Sequence, residues 1–354
     1  MDALNNMINN ELYIKALHGI ADCIETEKSS FLITGATGLI GSVIIDLLML
    51  SNRGGKRNHV FALGRSKEKL KKRFSDYLNE ETFHIIEQDI CKSLDESVHF
   101  DYIIHGASNA DPVAYAKYPA ETMITNIMGT HNVLEYGRKY PTCRIVVLST
   151  FEVYGNASKD VYRETDTGII DFNGLRACYP ESKRSVELLS CCYFDEYGVN
   201  VSIARLSSIY GPTMADNDSK AHAQFLRKAL LRKDIVLKSN GEQKRTYTYV
   251  LDAVSAILTV LFRGASNECY NVSNEKSIAS IAQVAHEVAA IAGQKVVFDV
   301  PTDLEAKGFS KPQNCILDNT KLKQLGWTGK YALHEGLKEC MDVLSIDAKK
   351  HLNQ

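Results

Sequence analysis

The chain has 354 residues, of which 45% are hydrophobic and 24% charged, and its formal net charge is -2. This composition is typical of a globular protein large enough for two lobes, and the charge gives no electrostatic support for a nucleic-acid partner. No run of about 18 apolar residues predicts a transmembrane helix, and the N-terminus lacks the apolar core of a signal peptide. We therefore expect a cytoplasmic protein with neither a nucleic-acid nor a membrane partner. The nine cysteines show no CxxC spacing, so we expect reduced thiols and no metal site.

Apolar residues at helical spacing predict an amphipathic helix over 4–24, ahead of the first strand. From residue 29 onward, short apolar strands alternate with helical segments, which predicts βαβ units and a parallel sheet buried on both faces. The predicted strands are 31–34, 59–64, 83–90, 101–108, 143–150 and 199–211. The predicted helices of this part are 42–50, 67–78, 119–139 and 182–198.

The predicted fold class is α/β, a doubly wound parallel sheet (Rossmann) with a smaller C-terminal lobe. We expect a helical extension over 1–28, a dinucleotide-binding domain over 29–211, and a second lobe made mainly of 212–354. Residues 212–245 are more polar and irregular, and a late helix is expected over 277–293. The segment 246–265 is expected to return to the first domain.

A glycine-rich turn, Gly35-Ala-Thr-Gly38-Leu-Ile-Gly41, joins the first predicted strand to the first helix of the sheet. Glycines let the backbone approach a pyrophosphate, whose charge the helix N-terminus stabilises. The placement between strand and helix therefore predicts a dinucleotide site. Besides the three glycines, the predicted cofactor contacts in this turn are Thr37, Leu39 and Ile40.

The end of the second strand reads Leu63-Gly64-Arg65, without the carboxylate that would accept hydrogen bonds from the adenosine ribose. Arg65 would suit a 2′-phosphate, which leaves NADP open beside NAD, but a solvated arginine explains the residue as well. Asp89 and Ile90, at the end of the third strand, are predicted adenine contacts, although Asp89 could equally cap the strand.

Tyr179 and Lys183 are four residues apart, which places a phenol and an ammonium on one face of a helix. A neighbouring cation lowers the pKa of a phenol that is otherwise a poor base at neutral pH. The pair follows the strand end Leu148-Ser149-Thr150 by about 30 residues, so these segments together predict a site for proton transfer.

The motifs GATGLIG, LSTFEVYG, YPESK and ARLSSIYGP resemble the extended short-chain dehydrogenase/reductase family that acts on nucleotide sugars, from residue 31 to about 330. Within it the chain is most similar to UDP-glucuronate decarboxylases, through HGASNADPVAYAKYPAETMITNIMGTHNVLE, LRACYPESKRSVE and GEQKRTYTYVLDAV. The resemblance implies a nucleotide-sugar substrate in the second lobe, NAD as cofactor with NADP not excluded, and a homodimer.

The resemblance also implies roles for individual residues. Tyr179 would take the proton of the sugar 4-hydroxyl while hydride leaves C4, Lys183 would hold the ribose and lower the tyrosine pKa, and Thr150 with Ser149 would bond the same hydroxyl. Arg245 would contact the diphosphate. The remaining implied contacts are Ala107, Asn126 and Ser149 for the cofactor, and Ser108 and Ser208 for the substrate.

Phe151 and Glu152 follow Thr150, where the family's dehydratases have two acids. Phe151 has no proton to give to a departing 6-hydroxyl, which disfavours 4,6-dehydration, whereas Glu152 favours chemistry at C5 or C6. A C6 carboxylate beside a C4 ketone belongs to a β-keto acid and can leave as CO2. We therefore expect a decarboxylase, although Phe151 is bulky for that site and Ser208 replaces the family's usual asparagine. An NADPH-dependent 4-keto reductase or epimerase, and a non-catalytic dinucleotide-binding protein, remain alternatives.

Overall fold

The computed structural model describes residues 7–299 and 314–352, with side chains described up to 346. A seven-stranded parallel sheet forms its centre, in the order β3-β2-β1-β4-β5-β7-β11. Because the order reverses between β1 and β4, a crevice opens at their carboxyl ends. These strands are β1 (Ser30–Thr34), β2 (His59–Gly64), β3 (Phe83–Glu87), β4 (Tyr102–His105), β5 (Arg144–Thr150), β7 (Val201–Leu206) and β11 (Cys269–Val272).

Helices cover both faces of this sheet, as the predicted doubly wound fold requires. Alternate residues of β1 serve the two faces: Phe31 and Ile33 pack into one core with α2 and α8, whereas Leu32 packs into a second core with α5 and α6. The helices of this part are α2 (Leu39–Arg53), α3 (Lys67–Arg73), α4 (Pro112–Lys117), α5 (Pro119–Lys139), α6 (Cys178–Tyr197) and α8 (Val250–Arg263).

Among the described residues that follow β5, three smaller sheets and four further α-helices lie outside the central sheet and its flanking helices. In the largest of these sheets, the central strand β10 (Lys244–Tyr249) pairs with β8 (Ser208–Tyr210) on one side and β12 (Ile278–Ser280) on the other. The other two pair β9 (Ile235–Leu237) with β13 (Val296–Phe298), and β6 (Val161–Tyr162) with β14 (Ile316–Leu317). The helices are α7 (Ala221–Leu230), α9 (Ile281–Ala292), α10 (Thr320–Gln324) and α11 (Leu333–Leu352). Helix α9 begins with a capping box between Ser280 and Gln283, which fixes its start.

Several predicted strands and helices end earlier than expected, as β3 and β4 do at Glu87 and His105, and three predicted elements differ in kind from the structure. The single strand 199–211 is divided at Ser207, because β7 stays in the central sheet while β8 pairs with β10. The polar segment 212–245 contains α7, β9 and the start of β10. The helix expected over 4–24 is interrupted: α1 covers Glu11–His18 between 3-10 turns, and its predicted first residues lie outside the described part of the chain.

The N-terminal segment around α1 contacts both α2 and the C-terminal helix α11. The Tyr13 hydroxyl donates to Asp46 at 2.8 Å, and Asp46 is a fully buried carboxylate that also pairs with Arg73 and accepts from Tyr77. The Asn10 side chain donates to the carbonyl of Val343 in α11. The segment thereby completes a buried charge network and connects it to the C-terminal helix. Within the described residues, no helix is both long and apolar enough to cross a membrane.

Candidate active site

The glycine turn brings the start of α2 against the loop that follows β4. Gly35 has φ +70°, and a Cβ there would lie 2.8 Å from the carbonyl oxygen of Gly106. A Cβ at Gly41 would lie 2.6 Å from the carbonyl oxygen of Gly35. Gly38 caps α2 without a side-chain hydrogen bond, so the helix N-terminus keeps its backbone donors for a ligand. The turn therefore fits a pyrophosphate.

The loop after β4 is held by the hydroxyl of Thr34, which accepts from the backbone N–H groups of Gly106 and Ala107 at 3.1 Å each. The same hydroxyl lies 2.9 Å from Nδ1 of His105, and Nε2 of His105 lies 3.1 Å from the Thr130 hydroxyl. Burial, with a further contribution from Lys183, lowers the pKa of His105 to about 3. A neutral imidazole therefore helps to hold the loop after β4 beside the glycine turn.

The residues predicted to contact adenosine lie at the carboxyl ends of β2 and β3. Arg65 is exposed and pairs with Glu121 at 2.9 Å. Asp89 is exposed and caps the backbone two residues on, while the carbonyl of buried Ile90 accepts from Asn132. An exposed ion pair contributes little and is easily exchanged. Arg65 is thus engaged with a carboxylate, and nothing in its geometry favours a 2′-phosphate.

The predicted catalytic residues come together where β5 ends against α6. Thr150 ends the strand, and Tyr179 and Lys183 lie one turn apart on the buried side of α6. The Lys183 ammonium donates to the carbonyl of Leu148 at 2.8 Å, and Tyr179 is only 6% exposed. Helical spacing thus places Tyr179 and Lys183, and the end of β5 places Thr150, at the same crevice.

Burial sets the electrostatics of this group. Burial lowers the pKa of Lys183 to about 8, although the negative charge of Glu187 acts in the opposite direction and raises it. Burial, with the charge of Glu152, raises the pKa of Tyr179 well above its ordinary value, and a hydrogen bond with Thr150 opposes that rise. The phenol therefore holds its proton in the free protein, and a cation bound beside it would be needed to make it a base.

The Ser149 hydroxyl donates to Glu187, which also forms a charged pair with Arg205 at 2.6 Å. It is therefore engaged with the network behind the strand, whereas the Thr150 hydroxyl faces Tyr179 and accepts from the backbone N–H of Glu152 at 3.3 Å. Arg205 also reaches Tyr154, whose hydroxyl donates to Asn271 at 2.7 Å.

Several buried polar atoms near the crevice have no hydrogen-bond partner among the described residues, including Oδ1 of Asn126 and Oγ of Ser108. The amide of Asn126 donates to Ser182, whose hydroxyl donates to the carbonyl of Tyr179. Buried polar groups without partners are uncommon. They indicate where a bound ligand would donate or accept.

A cavity of about 430 Å³ is lined by Glu152 and Pro180, which directly follow Phe151 and the predicted catalytic residue Tyr179 in the chain. Glu152 and Arg176 form an ion pair across it at 2.9 Å. Arg245 lies on another side, with its guanidinium carbon 5.3 Å from the centre of the Phe151 ring. Ser208 is buried on β8, in register with Tyr247, and does not line this cavity.

Sequence reasoning missed Tyr115 and Arg176. The Tyr115 ring stacks on Tyr179 with centroids 5.1 Å apart and planes at 9°, and Arg176 lies 5.6 Å above the same ring. The Tyr115 hydroxyl is buried and has no partner in the described part of the chain. Both residues lie inside segments that carried the family resemblance, but no spacing rule connected them to Tyr179.

The chain is similar in sequence to proteins of known name over most of its length. The chain is 32% identical to UDP-glucuronic acid decarboxylase 6 of Arabidopsis thaliana over 311 residues, covering 86% of each chain. It is 30% identical to UDP-glucuronic acid decarboxylase 1 of Xenopus tropicalis over 332 residues, covering 93% of this chain and 75% of that protein.

Solved structures share the fold. UDP-glucose 4-epimerase of Thermotoga maritima superposes with a TM-score of 0.74 at 27% identity, covering 91% of this chain and 99% of that one. UDP-glucuronic acid 4-epimerase of Bacillus cereus, solved with NAD, gives a TM-score of 0.74 at 22% identity, covering 90% and 98%. The model of the NAD dependent epimerase/dehydratase family matches residues 31–273. The chain therefore belongs to the NAD dependent epimerase/dehydratase family.

Proposed function

We propose that this enzyme oxidises a nucleotide sugar at C4 with NAD and that its substrate is UDP-glucuronate, which it decarboxylates. The relatives of known name that are 30–32% identical over most of the chain are UDP-glucuronic acid decarboxylases. The observation that carries the proposal is the position of Glu152, which lines the cavity and whose charge acts on Tyr179. The inert Phe151 separates it from Thr150 in the sequence.

The cofactor would lie along the turn from Gly35 to Gly41, with its pyrophosphate at the start of α2. NAD supplies a hydride acceptor for C4 when bound. We propose NAD over NADP because the carboxylate of Glu121, 2.9 Å from Arg65, would repel a 2′-phosphate bound there. The partnerless oxygen of Asn126 and the loop at Ala107 and Ser108 would contact the nicotinamide half and the sugar.

Proton transfer would fall to Tyr179. Thr150 would hold the sugar 4-hydroxyl, and Tyr179 would take its proton as hydride leaves C4. With a pKa of about 8, Lys183 is largely an ammonium at pH 7, so it would favour the phenolate and hold a ribose hydroxyl.

The chemistry at C5 would belong to Glu152. Once C4 is a ketone, the C5–C6 bond breaks, CO2 leaves, and its electron pair remains as an enolate. We assign delivery of the new C5 proton to Glu152, which is paired with Arg176. Phe151 offers no acid for a 6-hydroxyl, so the same site would not catalyse 4,6-dehydration.

The test is mass spectrometry of UDP-glucuronate incubated with the purified enzyme without added cofactor, with Tyr179→Phe as the control. We expect a product lighter by CO2 from the wild type and none from the variant. An unchanged mass with inverted C4 would indicate an epimerase. Consumption of NADPH with a 4-keto sugar would indicate a reductase, and cofactor binding without any product would indicate a binding protein.

We also propose that the enzyme is a homodimer joined through α5 and α6. Both helices expose large apolar side chains, including Ile124 (56% exposed) and Leu188 (66% exposed). Such clustered exposure marks interaction surfaces. Sedimentation should give a dimer for the wild type and a monomer for Ile124→Glu/Leu188→Glu, and a monomeric wild type would refute the proposal.

A further inference from the structure

We propose that Phe151 is a positioning residue whose ring orients Arg245 toward the diphosphate of the nucleotide-sugar substrate. The inference rests on the proposed function and deepens it, because it gives a role to the residue that most clearly departs from the family pattern. Phe151 touches no reacting atom in this account and acts only through Arg245.

The contact between the two side chains is a cation–π interaction. The guanidinium carbon of Arg245 lies 5.3 Å from the centre of the Phe151 ring, within the range of about 6 Å in which such pairs attract. The ring itself is anchored, because Phe151 packs against a small core of Val153, Tyr154, Tyr162 and Leu317. The fixed Phe151 ring therefore contacts one face of the Arg245 guanidinium and restricts a side chain that otherwise has many rotamers.

Arg245 is the arginine of the cavity that remains available to an anion. Arg176, on another wall, is occupied by Glu152 at 2.9 Å. Among the described residues, Arg245 forms no ion pair, and its buried Nε has no hydrogen-bond acceptor. A buried guanidinium N–H without an acceptor is costly unless a ligand supplies one.

The backbone of Arg245 is also fixed. It lies in β10, in register with Ala279 of β12, and forms a bridge with Cys315 on its other side. Strand β10 fixes the backbone of Arg245, and the Phe151 ring covers one face of its guanidinium group. The edge of that group is therefore the part that can contact a ligand. That edge carries parallel N–H donors, which match the oxygens of a diphosphate.

The experiment is a double-mutant cycle measured by calorimetric binding, with UDP, dTDP, CDP and GDP as probes and no turnover required. The variants are Phe151→Leu, which keeps an apolar side chain but removes the ring, Arg245→Met, and the double variant. Phe151→Tyr keeps the ring and serves as the conservative rescue. NAD binding checks that each variant is folded.

For the tightest-binding diphosphate, Phe151→Leu should weaken binding about three- to tenfold in the wild-type background, consistent with one cation–π contact. In the Arg245→Met background the same change should alter binding less than twofold. The single variant Phe151→Tyr, which keeps the ring, should bind the diphosphate as the wild type does. Uridine, which lacks the diphosphate, should not distinguish Phe151→Leu from the wild type.

An equal loss from Phe151→Leu in both backgrounds would overturn the proposal, because Phe151 would then act independently of Arg245. Failure of the wild type to bind any of the four diphosphates would overturn it as well. A coupled pair in an enzyme that leaves UDP-glucuronate unchanged would support the proposal and refute only the decarboxylase assignment.

Discussion

Replacing His105 with glutamine should remove a defined part of the protein's acid sensitivity. The imidazole is buried, bonded through both ring nitrogens to the hydroxyls of Thr34 and Thr130, and close to the charge of Lys183. Burial is the main cause that lowers its pKa from 6.5 to about 3. Between these values the unfolded chain binds a proton that the folded chain does not, so stability falls as pH falls.

The magnitude follows from the pKa difference. At pH 7.5 both states are essentially neutral at His105, whereas at pH 5 only the unfolded state is protonated. Each pH unit in this window removes about 1.4 kcal/mol, so the wild type should lose about 2 kcal/mol through His105 between pH 7.5 and pH 5. His222, whose pKa burial lowers to about 4, adds a similar loss in both proteins and cancels in the comparison.

The assay is urea unfolding of the wild type and His105→Gln at several pH values from 7.5 to 5. Glutamine can donate and accept in place of the imidazole but does not titrate, so its stability should fall about 2 kcal/mol less over this range. His18→Gln, at an exposed position on α1, should follow the wild type. Parallel curves for His105→Gln and the wild type would refute the reasoning, because His105 would then titrate alike in both states.

Three further changes test other parts of the structure. Gly35→Ala should abolish detectable NAD binding in a fluorescence titration, since its Cβ would meet the Gly106 carbonyl at 2.8 Å, and normal binding would contradict the close approach. Tyr13→Phe should lower the free energy of unfolding by about 1–3 kcal/mol in urea, because it removes a donor from buried Asp46, and an unchanged value would mean that α1 does not complete this network. Glu152→Gln should reduce kcat for CO2 release about 10²- to 10⁴-fold with little change in KM, and an undiminished kcat would exclude Glu152 from the chemistry.

The fold could be predicted from the sequence where local patterns determine it. The bounds of β2 and α5 coincide with the predicted 59–64 and 119–139, because each is a periodic segment with clear ends. The doubly wound fold class is confirmed. The division at Ser207 could not be predicted, because it depends on which sheet each half of the segment joins, a tertiary property.

The candidate site also has a part that local sequence patterns predict and a part that depends on the tertiary structure. Tyr179 and Lys183 were predictable as a pair because four residues make one helical turn. The pairing of Glu152 with Arg176, and the contact of Phe151 with Arg245, join segments that are separate in sequence. Sequence reasoning explained Phe151 only by the acid it lacks, whereas the structure gives its ring a neighbour.

The reaction of UDP-glucuronate in D2O tests the central claim most directly. The enzyme, supplied with no cofactor, should release CO2 and give a UDP-pentose that carries one solvent deuterium at C5 and none at C4, because hydride returns from the retained cofactor while C5 is protonated from solvent. Deuterium at C4, or substrate recovered unchanged in mass and configuration, would contradict C4 oxidation followed by decarboxylation in this crevice.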